Sequence, residues 1–363
     1  MNKKKIVFVV PSLRMGGAEK NAVNIMNRLD QKKYSIHLLL FEKMGSLLEE
    51  INPAIKMKEL VSKNKMDKTI KLYQEIRSIK PDIVFSTIIN ANILTGIVSI
   101  FYRDCLYIGR ETTVHSKLLE KNKPFMKKII ALWYRLFISR LDIVIAQSQF
   151  MKNELTQLFK VKADKIIILS NPVDIKKSVK GSHFSGRKRL LSVGRLHSLK
   201  RPILLLNIFS HLDTSYELII IGEGAEKEGL KKEIQRLGID DRVTLMGQCI
   251  DPTKYYREAA ALLVTSEYDS YPNVMMEALA SGTRVVAFDV PGAINEILND
   301  PVKGILVPNN DIQAYQEAIE KIVVEAIPKV KVAATVKAQS WENYLDRLEE
   351  IFLLKEEMNE VSD

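Results

Sequence analysis

Cysteine is nearly missing from this chain: Cys105 and Cys249 are the two in 363 residues. Two distant cysteines make neither a disulfide framework nor a metal-ligand spacing, which fits a reducing, cytoplasmic setting. Long apolar runs are missing too. Nothing approaches the roughly 20 residues that span a bilayer. The first apolar run, IVFVV, stops at Pro11 and is too short for the core of a signal peptide, so it reads as a first strand. Internal repeats and low-complexity tracts are absent. So are a complete G-x-G-x-x-G, the lysine of a phosphate-binding P-loop, zinc spacings and the aromatic-basic signatures of nucleic-acid readers. A nicotinamide enzyme and a nucleic-acid partner are therefore not expected.

What is present is an ordinary globular composition, 46% hydrophobic and 27% charged, long enough for two domains. The net charge of +10 is unevenly spread. Residues 1–180 hold 33 Lys+Arg against 16 Asp+Glu, whereas 181–363 hold 21 against 28. The first half is thus built to meet something anionic; nucleic acid, anionic lipid or a phosphate-bearing substrate would each serve. Lysine decorating the surface without a partner is the plainer alternative.

Short β-branched runs alternate with helical stretches. KIVFVV (5–10), SIHLLLF (35–41), DIVFST (82–87), CLYIG (105–109), DIVIA (142–146) and KIIIL (165–169) form a first series of strands. LLSVG (190–194), ELIIIG (217–222), RVTLMG (242–247), ALLVT (261–265) and RVVAF (284–288) form a second. Such alternation implies right-handed βαβ crossovers and parallel sheets. The polar, basic stretch 171–189 between them is the linker candidate. The spacing predicts two tandem α/β domains, 1–175 and 186–338, then an amphipathic tail helix within 339–363. The tail's stripe of Trp341, Tyr344, Leu345, Leu348, Ile351 and Phe352 needs a surface to cover it, and packing back across the domain junction would supply one.

Four segments follow strands, where ligands bind in open α/β sheets. PSLRMGGAEK (11–20) brings Gly16 and Gly17 to a helix start. VGRLHSLKRP (193–202) places Arg195 and Lys200 after Gly194, a guanidinium and an ammonium that together can neutralise a diphosphate. IIIGEGAEKEG (219–229) imitates a dinucleotide turn but lacks its third glycine. SEYDSYPNVMMEALASG (266–282) sets Asp269 and Glu277 across a loop-to-helix junction opened by Pro272, with Asn273 and Glu277 on one helix face. Carboxylates accept from sugar hydroxyls, and a helix N-terminus favours an anion. Glu267 and Asp269 could hold a divalent cation, but Arg195 and Lys200 already supply positive charge, so no metal is expected.

These four segments, in this order, resemble the retaining glycosyltransferases of family 4. VGRL-x-x-x-K, then GEG, then an acid-x7-acid motif followed by A-x-A-S-G carry the likeness, with NPVD (171–174) and AQS (146–148) beside them. The resemblance implies a GT-B fold: two Rossmann-like domains, α/β with parallel sheets, facing a cleft. It implies that Arg195 and Lys200 grip the donor diphosphate, Glu277 accepts from the ribose hydroxyls and Asp269 contacts the donor sugar. The backbone of Tyr271, Pro272, Asn273 and Val274 would line the sugar and phosphates together with Gly194 and Met246, and Gly16 and Gly17 would close over the donor. His115 falls loosely where the family has a histidine near the reacting centre; a core or surface histidine is the alternative. Asp269 stands where the family usually has glutamate, so Asp269→Asn is expected to lower turnover and leave nucleotide affinity nearly unchanged. The implied substrates are a nucleotide-sugar, with uridine diphosphate the commoner carrier, and a saccharide or lipid-linked acceptor in bacterial surface-polysaccharide synthesis; no cofactor is needed. A nucleotide-sugar 2-epimerase, a sugar phosphorylase or an inactive scaffold are the rival readings.

One segment stays open. KLLEKNKPFMKKIIALWYRLFISR (117–140) sets lysines before an aromatic, apolar stretch. It reads equally as an interfacial helix on an anionic membrane surface, on the inner face of the cytoplasmic membrane, and as a core helix with a lysine-rich exposed turn.

Overall fold

The computed structural model describes residues 3–120, 123–175, 188–325 and 327–360. The chain divides into two compact units, Met1–Asn171 with Glu342–Asp363, and Pro172–Trp341. Most of the linker predicted over 171–189 lies outside the described residues.

The first unit is built on seven strands: β1 (Lys4–Val10), β2 (Tyr34–Leu40), β3 (Lys56–Glu59), β4 (Ile83–Thr87), β5 (Leu106–Arg110), β6 (Ile143–Ala146) and β7 (Ile166–Ile168). Their order is β3-β2-β1-β4-β5-β6-β7, and every pairing is parallel. The Val/Ile-rich runs follow from this, because helices cover both faces of a parallel sheet and leave no solvent side for polar residues. In β1, Ile6 through Val10 have no exposure at all. The tail helix Trp341–Glu360 belongs to this unit beyond its first residue. It buries Tyr344, Leu348, Ile351 and Phe352, and the Phe352 ring meets Tyr34 of β2 edge-on at 6.0 Å. The stripe spaced for one helix face thus finds its cover on the first sheet's unit.

The second unit holds β8 (Lys188–Val193), β9 (Tyr216–Ile221), β10 (Val243–Gly247), β11 (Ala261–Val264), β12 (Val285–Phe288) and β13 (Gly304–Val307). Its order, β10-β9-β8-β11-β12-β13, is again wholly parallel. The chain reverses its direction of winding between β8 and β11. At such a switch the connections leave to opposite sides and open a crevice at the carboxyl ends of the two strands. The first unit has the corresponding switch between β1 and β4. Two parallel-sheet α/β units of this kind are the architecture expected above.

Candidate functional site

In the second unit, β8 runs out into Gly194 and Arg195, and β11 into Thr265 and Ser266. The recess at their ends is lined by Ser192, Gly194, Arg195, Lys200, Thr265 and Val274. Gly194 has φ 155°, and Gly222, on the adjacent strand end, has φ 151° and faces the Gly194 carbonyl. A side chain at Gly222 would overlap that carbonyl, so the strand-to-loop turn carrying Arg195 depends on the glycine.

Lys200 ends a single 3₁₀ turn, Ser198–Lys200, whose Leu199 N–H donates to His197 Nδ1 at 3.2 Å. The turn is stitched to the loop after β11. Thr265 Oγ1 donates to the Lys200 carbonyl at 2.8 Å, and the Glu267 N–H donates to the Leu199 carbonyl at 2.8 Å. Arg201 completes the tie. In the left-handed region at φ 49°, it aims its guanidinium at the carbonyls of Thr265 (2.5 Å) and Ser266 (2.8 Å) and at Asn310 Oδ1 (2.7 Å). A non-glycine residue at positive φ is strained and persists where surroundings over-determine it. Burial lowers the Arg201 pKa, and Glu267 opposes that shift.

This stitching brings Lys200 Nζ onto Asp269 Oδ2 as an ion pair. The Asp269 backbone is held from the other side. Its N–H donates to the Pro291 carbonyl at 3.1 Å, and its own carbonyl accepts from the Ala293 N–H at 3.0 Å. Gly292 lies between those partners at φ 128°, and a Cβ there would overlap the Asp269 carbonyl. Gly292→Ala is therefore expected to lower stability by about 1–3 kcal/mol and reduce activity in the same variant. A calorimetric melt with an activity assay checks this; an unshifted midpoint would show that the loop tolerates the side chain.

The helix Asn273–Ala280 begins one residue after Pro272, which occupies the N-cap rather than the first helical turn. Asn273, Val274 and Glu277 are half-buried; Tyr271 and Pro272 are buried. Glu277 Oε2 accepts from the Tyr256 hydroxyl at 2.8 Å. Burial, then the Glu277 charge, push the Tyr256 pKa well above its ordinary value, so this phenol acts as a neutral donor that orients the carboxylate. Met246 sits where the β10–β9 register shifts, with its side chain exposed.

The structure therefore brings Gly194, Arg195, Lys200, Asp269, Tyr271, Pro272, Asn273, Val274 and Glu277 to one edge of one sheet. It joins two groups that the sequence had assigned separate tasks, since Lys200 and Asp269 form a pair. Tyr256, Arg201 and Gly292 were missed. Arg201 carried a readable signal, lying between Lys200 and a helix-opening proline, whereas Tyr256 and Gly292 are far from the motifs and reach them through tertiary packing.

In the first unit, Gly16 is the extended N-cap and Gly17 the first residue of the helix Gly17–Arg28, at the end of β1. His115 lies in the core of the first unit, the alternative that its sequence context left open. Its side chain has no exposure and stacks within 4.8 Å of the Tyr134 ring and 5.0 Å of Phe159. Its Nε2 lies 3.2 Å from Glu111 Oε2, and Asn92 and Ser86 extend the chain of buried polar contacts. Burial pushes the Glu111 pKa up, but the contacts with His115, Tyr134 and Asn92 outweigh it and leave the carboxyl below its ordinary range. His115 is thus a buried group of the first unit's core, with its Nδ1 lacking a hydrogen-bond partner among the described residues.

Residues 174–358 match the family described as Glycosyl transferases group 1, and residues 15–177 match Glycosyltransferase Family 4. The chain belongs to this glycosyltransferase family. Among similar proteins is the Campylobacter jejuni N-acetylgalactosamine-N,N'-diacetylbacillosaminyl-diphospho-undecaprenol 4-alpha-N-acetylgalactosaminyltransferase. It is 26% identical, over 92% of this chain and 95% of that one. The amylovoran biosynthesis glycosyltransferase AmsD of Erwinia amylovora is 22% identical over 97% and 98%. Anabaena HepE, solved with UDP, superposes with a TM-score of 0.80 at 18% identity, covering 96% of this glycosyltransferase and 99% of HepE. The outer-core galactosyltransferase WaaB gives 0.77 over 97% and 99% at 18% identity. These neighbours share the GT-B fold.

Proposed function

We propose that this glycosyltransferase moves a sugar, with retention of anomeric configuration and without a resident metal, from a uridine diphosphate sugar to a saccharide acceptor carried on a lipid diphosphate, in bacterial surface-polysaccharide assembly. The observation that carries the reading is the meeting of Arg195 and the Lys200–Asp269 pair with the Glu277 helix at the β8/β11 switch. It supplies two cations for a diphosphate, a carboxylate oriented for vicinal hydroxyls, and a helix start beside them. The acceptor class rests on the names of relatives: the Campylobacter enzyme acts on a diphospho-undecaprenol carrier, and AmsD serves amylovoran synthesis.

In this reading the bond between the anomeric carbon and the diphosphate oxygen breaks as the acceptor oxygen bonds to the same face of the sugar. The acceptor proton passes to the departing phosphate. Arg195 and Lys200 stabilise the charge gathering on that phosphate, and Glu277 fixes the ribose, so the protein contributes position and electrostatics rather than a nucleophile. Nuclear magnetic resonance of the first-formed product, with and without EDTA, tests the proposal. An α-linked product from an α-linked donor, formed at an unchanged rate in EDTA, is expected. An inverted product would overturn retention, and loss of activity in EDTA would overturn metal independence.

A further inference from the structure

The helix Pro124–Ile138 has two apolar faces. One holds Tyr134 and Ile138, both buried in the first unit's core. The other is spaced i, i+4, i+7, i+11 by Phe125, Ile129, Leu132 and Leu136, half a helical turn away from Tyr134, with Met126 and Trp133 along its margin. That face is open to solvent. Phe125 is 73% exposed, Met126 44%, Leu132 53%, Trp133 55% and Leu136 50%. Core packing accounts for one face of the helix and leaves the second uncovered. Five exposed bulky apolar side chains around the half-buried Ile129 are more than the scattered exposure of an ordinary surface.

The charge around this face selects its partner. Residues 117–140 contain seven basic side chains and one acid, Glu120. Exposed Lys123 and Lys128 lie at the start of the helix, and exposed Arg135 flanks the stripe. Like charge at this density opposes closure on a second copy and favours an anionic surface with an apolar interior. Lysine and arginine beside a stripe containing tryptophan and phenylalanine is the composition of a helix lying in a membrane interface. Among the described residues no helix is long and apolar enough to cross a membrane, so the contact is with one leaflet's surface.

We infer that the outer face of the helix Pro124–Ile138 docks the protein on an anionic lipid bilayer, with Phe125, Leu132, Trp133 and Leu136 inserted among the acyl chains and the lysines on the headgroups. The inference stands on this face alone and does not depend on the reaction proposed above, so each can fail without the other.

Trp133 makes the test specific, because the only other tryptophan, Trp341, is buried. The full chain is mixed with vesicles of phosphatidylglycerol and phosphatidylcholine, or of phosphatidylcholine alone, at low and high salt. Cosedimentation with the anionic vesicles is expected, weakened by salt, with a blue shift of emission that is missing from Trp133→Phe. A Leu132→Ser/Leu136→Ser variant should keep its thermal midpoint and bind at least about tenfold more weakly. Soluble glycerol phosphate should not reproduce the shift. No vesicle binding, binding without the Trp133 shift, or a concentration-dependent dimer abolished by the same double variant would overturn the inference.

Discussion

In the proposed reaction Lys200→Ala is expected to lower kcat on the order of 10²–10³-fold, the usual cost of removing one preorganised charge from a developing oxyanion. Its ammonium is held in place by Asp269, by the Thr265 hydroxyl on its own carbonyl and by the Arg201 bonds to the next loop, so little reorganisation is needed when charge builds on the phosphate. The pairing makes a prediction that separate roles would not. Lys200→Ala would leave the Asp269 carboxylate unpaired beside the proposed diphosphate site and should weaken nucleotide binding. Asp269→Asn removes a negative charge beside Lys200 and should tighten nucleotide diphosphate binding several-fold while turnover falls. This revises the expectation from sequence that nucleotide affinity would stay unchanged. The Lys200→Ala/Asp269→Asn double variant should be about as slow as the slower single one, because the two act as a unit. Calorimetric titration of UDP with steady-state rates for the three variants checks this. Multiplying single effects, or a weaker UDP affinity in Asp269→Asn, would show that the ion pair is incidental.

The second large effect belongs to Glu277. In the proposed reaction Glu277→Ala should raise the donor KM on the order of 10²-fold with kcat much less changed. It removes charge-assisted hydrogen bonds worth about 1.5–3 kcal/mol each and leaves the buried Tyr256 hydroxyl without its acceptor. Tyr256→Phe should move KM in the same direction by several-fold, since it loosens the carboxylate without removing it. Initial rates over a donor series decide between a binding role and one in the chemical step. A fall in kcat at constant KM would place Glu277 in the chemistry instead.

Much of the architecture could be read from residue order because buried parallel strands leave little choice: runs such as IVFVV and ELIII fit no other environment as well. Two of the four edge strands, β3 and β13, were not read. In β3, KMKE is charged and mostly exposed, as an edge that must resist pairing with another chain tends to be. β13 is four residues long and begins with glycine. The site divides along the same line. Arg195, Lys200, Asp269 and Glu277 lie in contiguous motifs at strand ends and were legible. Tyr256, 21 residues from Glu277, and Gly292, across a bridge from Asp269, act through contacts that no local pattern records. His115 went the other way: its motif looked chemical, and Tyr134, Phe159 and Glu111 close over it. The helix Pro124–Ile138 could not be resolved from sequence, since both its faces are apolar and periodicity does not say which one is covered.

The central claim is that the carboxyl edge of the second sheet binds a nucleotide-sugar and stabilises departure of its diphosphate. Nucleotide release from a panel of nucleotide-sugars, measured in parallel on the wild-type protein and on Lys200→Ala, tests it most directly. The account predicts that one uridine diphosphate sugar is turned over, slowly without acceptor and faster with it, and that release falls on the order of 10²-fold or more in the variant. Equal release by both proteins, or none from any nucleotide-sugar, would contradict it.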